Sequence, residues 1–186
     1  MELTFQQIHA QASGGAPERR PVRYAPFAAA RIAVGAYWLY EQHWKLPPEF
    51  GLHDPRGLMY AFQQSIQHPT IDLYRSFLQE VVVPHFHLFG WLLGLAEVAI
   101  GLSLVFGVVT RAGALLGVLQ AVNLMIAQGR TPEGPWIYLA ILAANLFVLL
   151  TPSNRRWSVD SRVARSFSSA PPPTSRLYRA LRMAMS

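Results

Sequence analysis

Two ionisable residues stand inside apolar runs where charge is rare: Arg31 in RIAVGAYWLY and Glu97 in GLAEVAIGL. A charge held at the centre of a membrane segment costs about 2.5–3.5 kcal/mol on insertion scales. Such a residue is kept for a partner or for a reaction. Arg31 lies about seven residues, and Glu97 about nine, from the same end of their segments. At 1.5 Å of rise per residue these depths agree within about one turn. Antiparallel neighbours would then bring the two together as an ion pair. That pair has two readings: a catalytic station on a proton or ligand path, or a neutral clamp that fixes which helices pair.

A second group gathers where the first apolar run ends. Trp38, Trp44 and Lys45 crowd that exit, and His87 opens the second run on the same side. Tryptophan at a membrane boundary is first of all an anchor in the headgroup belt. An aromatic wall beside a polar donor is also what a quinone ring requires, and Trp38, Trp44, Lys45 and His87 are the candidate residues for binding one. The six histidines invite a metal reading. His85 and His87, two apart on a helix, point about 200° from each other, so they do not grip one ion there, and no metal ligands are assigned. The chain has no cysteine, which excludes disulfides, thiolate chemistry and Cys-type metal sites.

The elements that must carry these residues are four apolar helices. They are expected at residues 24–44, 85–106, 110–128 and 135–150, each near the length a bilayer core demands. A soluble bundle would show polar stripes on its outer faces; residues 92–106 have one charge and residues 112–127 none. Gly90 and Gly94, like Gly113 and Gly117, form the GxxxG spacing that lets membrane helices approach closely. Gln120, Asn123 and Asn145 add polar groups that are expected to turn inward with Arg31 and Glu97. The fold class is therefore all-α, an integral membrane four-helix bundle lying in a lipid bilayer.

The connection from 46 to 84 has its own periodicity. Leu58, Met59, Phe62 and Ile66 recur at helical spacing, as do Leu73, Phe77 and Val81 after a Thr70 cap. Both sets predict amphipathic helices packed against the outer ends of the bundle. Residues 1–23 are polar and Arg-containing, without the apolar core of a signal peptide, and Thr4 to Ala12 allow a short interfacial helix. Residues 152–186 form a basic tail in which Pro171–Pro173 precede a second interfacial helix rich in arginine. Three units follow: the N-terminal segment 1–23, the membrane domain 24–151 and the tail 152–186.

The formal net charge is +6. The arginines flank apolar runs, which points to a membrane surface and not to nucleic acid. Arg19, Arg20, Arg23, Arg111 and the tail arginines fall on one side. Lys45, Arg56, Arg75 and Arg130 fall on the other, despite its longer loops. The positive-inside rule places both termini in the cytoplasm and the 46–84 loop outside.

Several short segments, taken in order, resemble the DoxX family and within it the DoxD type, the membrane subunit of thiosulfate:quinone oxidoreductase. They are Arg31-Ile-Ala-Val-Gly35 leading to Trp38 and Lys45, then Val83-Pro84, then Glu97-Val-Ala-Ile-Gly101-Leu. Phe106-Gly107-Val-Val-Thr110-Arg111 and Arg155-Arg156-Trp157-Ser158-Val159-Asp160 complete the set, so the resemblance runs from Arg31 to Asp160. Glu41 stands where the family tends to have glycine. The resemblance implies a four-helix protein of the bacterial inner membrane that passes electrons to the quinone pool with other membrane or redox subunits. It carries over Arg31, Lys45, Glu97 and Arg111. The alternative is a structural or assembly subunit without catalysis.

Overall fold

The computed structural model describes residues 24–132, 134–155 and 157–168. The helices expected at Thr4 to Ala12 and in the arginine-rich end of the tail lie outside the described residues. Among the described residues the fold is all-helical, with no strand.

Helix α1 is Ala25–Tyr40 and continues as a tight 3-10 turn, Glu41–Trp44. Pro26 occupies its first turn, where the missing N–H costs nothing. α2 is Leu58–Gln67, and α3 is Asp72–Phe77, prolonged by a wider turn through Val82. α4 is Phe86–Phe106, α5 is Thr110–Gln128 and α6 is Trp136–Leu150. Past Pro152 a short turn leads into α7, Val159–Ser168. α4 and α5 are long and apolar enough to cross a membrane; α6 is apolar but shorter.

The outer faces of these helices are greasy. Leu88, Leu92, Leu95, Leu102 and Phe106 on α4 are exposed, as are Leu115, Leu119 and Val122 on α5 and Leu146 and Leu150 on α6. Polar groups turn inward instead. Arg31, Glu97 and Asn145 are all nearly inaccessible.

α1 packs chiefly on α4, and α5 on both α4 and α6. Their register is set by small residues. A Cβ on Gly35 would stand 2.7 Å from the Val105 amide nitrogen, and one on Gly101 2.6 Å from the Leu39 side chain. The two helices therefore touch backbone to backbone. This register brings α1 to an end alongside the middle of α4. The outer half of α4 is covered by the loop that follows. Phe50 fills a notch at Gly90, where a Cβ would meet its ring at 2.7 Å, and meets Trp91 edge to face.

Two apolar cores result. Trp38, Ile100, Leu104, Ala121, Ile141 and Val148 join the long helices. Phe50, Leu58, Phe62, Leu78, Val82 and Phe86 join the 46–84 segment, here called the cap, to the outer half of α4. Leu58 and Phe62 face inward as their spacing predicts. The second stripe does not. Leu73 is 80% exposed, and Phe77 and Val81 are exposed too; the inward stripe lies one residue along, with Leu78 and Val82 buried and Tyr74 partly so. Nor does Thr70 cap α3: the helix has no side-chain cap, and the Thr70 hydroxyl is buried without a partner.

Candidate functional site

The ion pair expected between Arg31 and Glu97 does not form. The expectation assumed that both helices begin at one level. The Gly35–Gly101 contact instead drops Arg31 to the base of α4, at the corner where that helix turns into α5. The last carbonyls of a helix have no intrahelical donor and favour a cation. Arg31 answers that need. Its guanidinium donates to the carbonyls of Leu104 and Val105, and also to Ser153 (3.3 Å) and Trp157 (2.7 Å) in the segment after α6.

Asp160 completes the same corner from the other side. Its carboxylate accepts from the Val109 and Thr110 amides at 2.8 and 2.9 Å and from the Thr110 hydroxyl at 2.8 Å, capping the start of α5. The Asp160 amide donates to Gly107. The corner needs this support because Gly107 and the β-branched Val109 both hold positive φ, +67° and +48°. Arg31 thus ties the end of α4 to the segment after α6.

Glu97 has another partner. Lys45 forms a buried salt bridge with its Oε2. Gln42 donates to the same oxygen, and Gln120 donates to Oε1 at 3.5 Å. The Lys45 ammonium also lies 4.6 Å from the centre of the Trp44 ring, an added cation–π attraction. Lys45 reaches this depth because α1 has already ended and the chain doubles over it.

This cluster is the floor of a cavity of about 560 Å³ between the cap and the outer halves of α4, α5 and α6. Small-molecule sites usually measure about 300–1,000 Å³. The walls are mainly apolar, with Leu58, Phe62, Phe89, Leu93 and Ile141 among them. Trp38 and Trp44 both line it. Trp38 donates to Asn145 at 3.3 Å and Trp44 to Glu41 at 3.3 Å, so both rings are fixed. His43, Arg56 and Pro132 line it from exposed positions and mark its mouth.

His87 is not part of this cavity. Phe86 and Gly90 face inward on α4, and a step of about 100° per residue turns His87 outward, where it is exposed and packs edge-on against Phe86. Among the described residues no three His, Asp or Glu side chains converge as metal ligands do. The sequence had not singled out Tyr74. It crosses from α3 to donate to Asn123 of α5 at 3.0 Å and lines the cavity. Burial pushes its phenol above the ordinary tyrosine value, only partly offset by that bond. Its signal was present in the Tyr74–Leu78–Val82 spacing.

A family model described as "TQO small subunit DoxD" matches residues 27–172. The chain belongs to the DoxD family. No curated protein and no solved structure matches it. Membership makes the DoxD chain a membrane subunit of a quinone-linked oxidoreductase, and the description "small subunit" implies others in the complex. The matched stretch holds the corner, the Lys45–Glu97 floor and the whole cavity, and extends into the tail.

Proposed function

We propose that the cavity receives the head of a quinone, and that this DoxD chain passes to it electrons delivered by a partner subunit. In this reading the chain is a four-span bundle of the bacterial inner membrane. Both termini are cytoplasmic and the cap lies outside. The observation that carries the proposal is a buried lysine–glutamate pair at the floor of a largely apolar cavity of about 560 Å³.

The residues fit such a substrate. Its ring needs apolar walls, which Trp38, Trp44, Leu93 and Phe89 supply. Its oxygen needs a donor, and an ammonium has three N–H groups, of which Glu97 takes only part. Reducing a quinone to a quinol takes two electrons and two protons, and negative charge builds on the ring oxygens as the electrons arrive. A fixed cation in a water-poor site stabilises that charge without reorganising. Gln42 and Gln120 fix the Glu97 carboxylate, which holds the ammonium in place; Lys45 gives one of the two protons, and solvent water at the mouth supplies the other. Arg31 has no role in this step, and His87 has none.

The test is binding of decylubiquinone to the detergent-purified protein, read by quenching of tryptophan fluorescence. A hydrogen bond from a charged group is worth about 1.5–3 kcal/mol. Replacing Lys45 and Glu97 together by methionine keeps the floor filled and is expected to weaken binding by about ten- to a hundredfold. Unchanged affinity in that variant would remove the proposal. A structural role for the chain is the second reading, favoured by the Arg31–Asp160 corner, which holds helices and lines no part of the Lys45–Glu97 cavity. Co-purification of other subunits with no quinone affinity in the complex would support it.

A further inference from the structure

The floor accounts for one end of the cavity only. Gln120 and Asn123 are three residues apart on α5, so they share a face and are separated by about 4.5 Å along the axis. Gln120 reaches the Glu97 cluster. Asn123 lines the same cavity one step nearer the outer end of α5. Its carbonyl oxygen accepts from Tyr74 at 3.0 Å. Tyr74 stays a neutral donor because its site disfavours the phenolate. That contact decides which way the Asn123 amide is turned, leaving its NH2 group with no acceptor among the described residues.

We infer that Asn123 is a second polar anchor for the quinone head, donating its free NH2 to the ring oxygen opposite the one at Lys45, with Tyr74 as the positioning residue that aims it. This rests on the quinone reading above. A ring with oxygens at opposite edges needs two donors, and the cavity offers two at different places: an ammonium on the floor and an amide on the α5 wall. The positioning group comes from the cap, so the cap orients the wall as well as covering it. Two further bonds hold the cap to the same end of α5. Gln128 donates to the Ala61 carbonyl at 2.9 Å and to the Ser65 hydroxyl at 3.1 Å.

Two probes separate the anchors. Decylubiquinone has two opposed ring oxygens, and 4-nonylphenol has one. One neutral hydrogen bond is worth about 1 kcal/mol, or about fivefold in affinity. Asn123→Leu is expected to weaken decylubiquinone about fivefold and leave nonylphenol unchanged. Asn123→Asp keeps the oxygen that Tyr74 needs and removes the donor, so it is expected to do the same even if the leucine packs poorly. Tyr74→Phe should weaken decylubiquinone by less, and adding it to Asn123→Leu should weaken binding no further, since Tyr74 acts through Asn123. Circular dichroism melts confirm that each variant is folded. Equal loss of both probes, or wild-type affinity for both in the two Asn123 variants, overturns the inference while the Lys45–Glu97 result still stands. If the unaltered protein binds no decylubiquinone, the quinone reading itself falls and takes this inference with it.

Discussion

At the scale of single residues, the two buried charges of the apolar runs turn out to serve different ends. Glu97 neutralises Lys45 in a cavity; Arg31 collects carbonyls at a helix corner. Removing one partner from a buried pair typically costs about 3–5 kcal/mol, whereas replacing both by apolar residues of similar size is often neutral. Lys45→Met alone should therefore lower the thermal midpoint in detergent markedly. Adding Glu97→Met should recover most of that loss without restoring decylubiquinone binding. A double variant as unstable as the single one would mean that the floor is not a simple pair. Both residues were legible as exceptions in the sequence, because a charge among apolar neighbours is conspicuous. Their partners were not. Depth had to be counted from helix ends, and Lys45, at the exit of the first run, read as an interfacial donor and not as the partner of Glu97. His87 read as a neighbour of Lys45 because only the full turn of α4 shows that it points away.

At the scale of elements, the decisive object is the corner between α4 and α5. It joins three of the short segments that carried the family resemblance: Arg31, the run from Phe106 to Thr110, and the run from Trp157 to Asp160. Each segment alone does nothing; together they cap one helix end with a cation and the next with an anion. Losing an N-cap costs about 0.5–2 kcal/mol. Asp160→Ala is expected to lose at least that much, since three bonds and the support for Val109 go together. Asp160→Asn should retain part of it, and thermal melts of the two variants in one detergent check the order. The glycine notches give a sharper test. Gly90→Leu places carbon where the Phe50 ring lies, so it should dislodge the loop after α1. Limited proteolysis should then cut near 46–57 faster than in the unaltered chain. The cap shows how far periodicity goes. It located α2 and α3, but α3 has two candidate stripes one residue apart, and spacing does not choose between Leu73–Phe77–Val81 and Tyr74–Leu78–Val82. Burial of Leu78 and Val82 in one cluster with Phe62 and Phe86 makes that choice.

At the scale of the whole molecule, the exposed apolar faces of α4, α5 and α6 and the inward polar residues describe a protein turned inside out relative to one that folds in water. This was the most legible property of the sequence, because it needs only composition along each helix. Handedness of the arrangement and the depth of the cap needed the three-dimensional contacts. The chain has no cysteine, so single cysteines can report its orientation. In intact spheroplasts, Gln63→Cys on the cap is expected to react with a membrane-impermeant maleimide. Arg162→Cys on α7 should react only after the membrane is opened. The reverse pattern would invert the proposed topology.

The early stop of α1 also bears on how the protein is made. With the proposed orientation, the first segment enters the bilayer carrying one cation near its inner edge, while Lys45 remains in the outer aqueous phase. Glu97 arrives later, when the second segment is threaded through. Only then can the Lys45 ammonium meet its carboxylate. The pair is thus completed by the second segment, and the cation at rest in the bundle is neutralised where the cost of a bare charge rises steeply toward the bilayer centre.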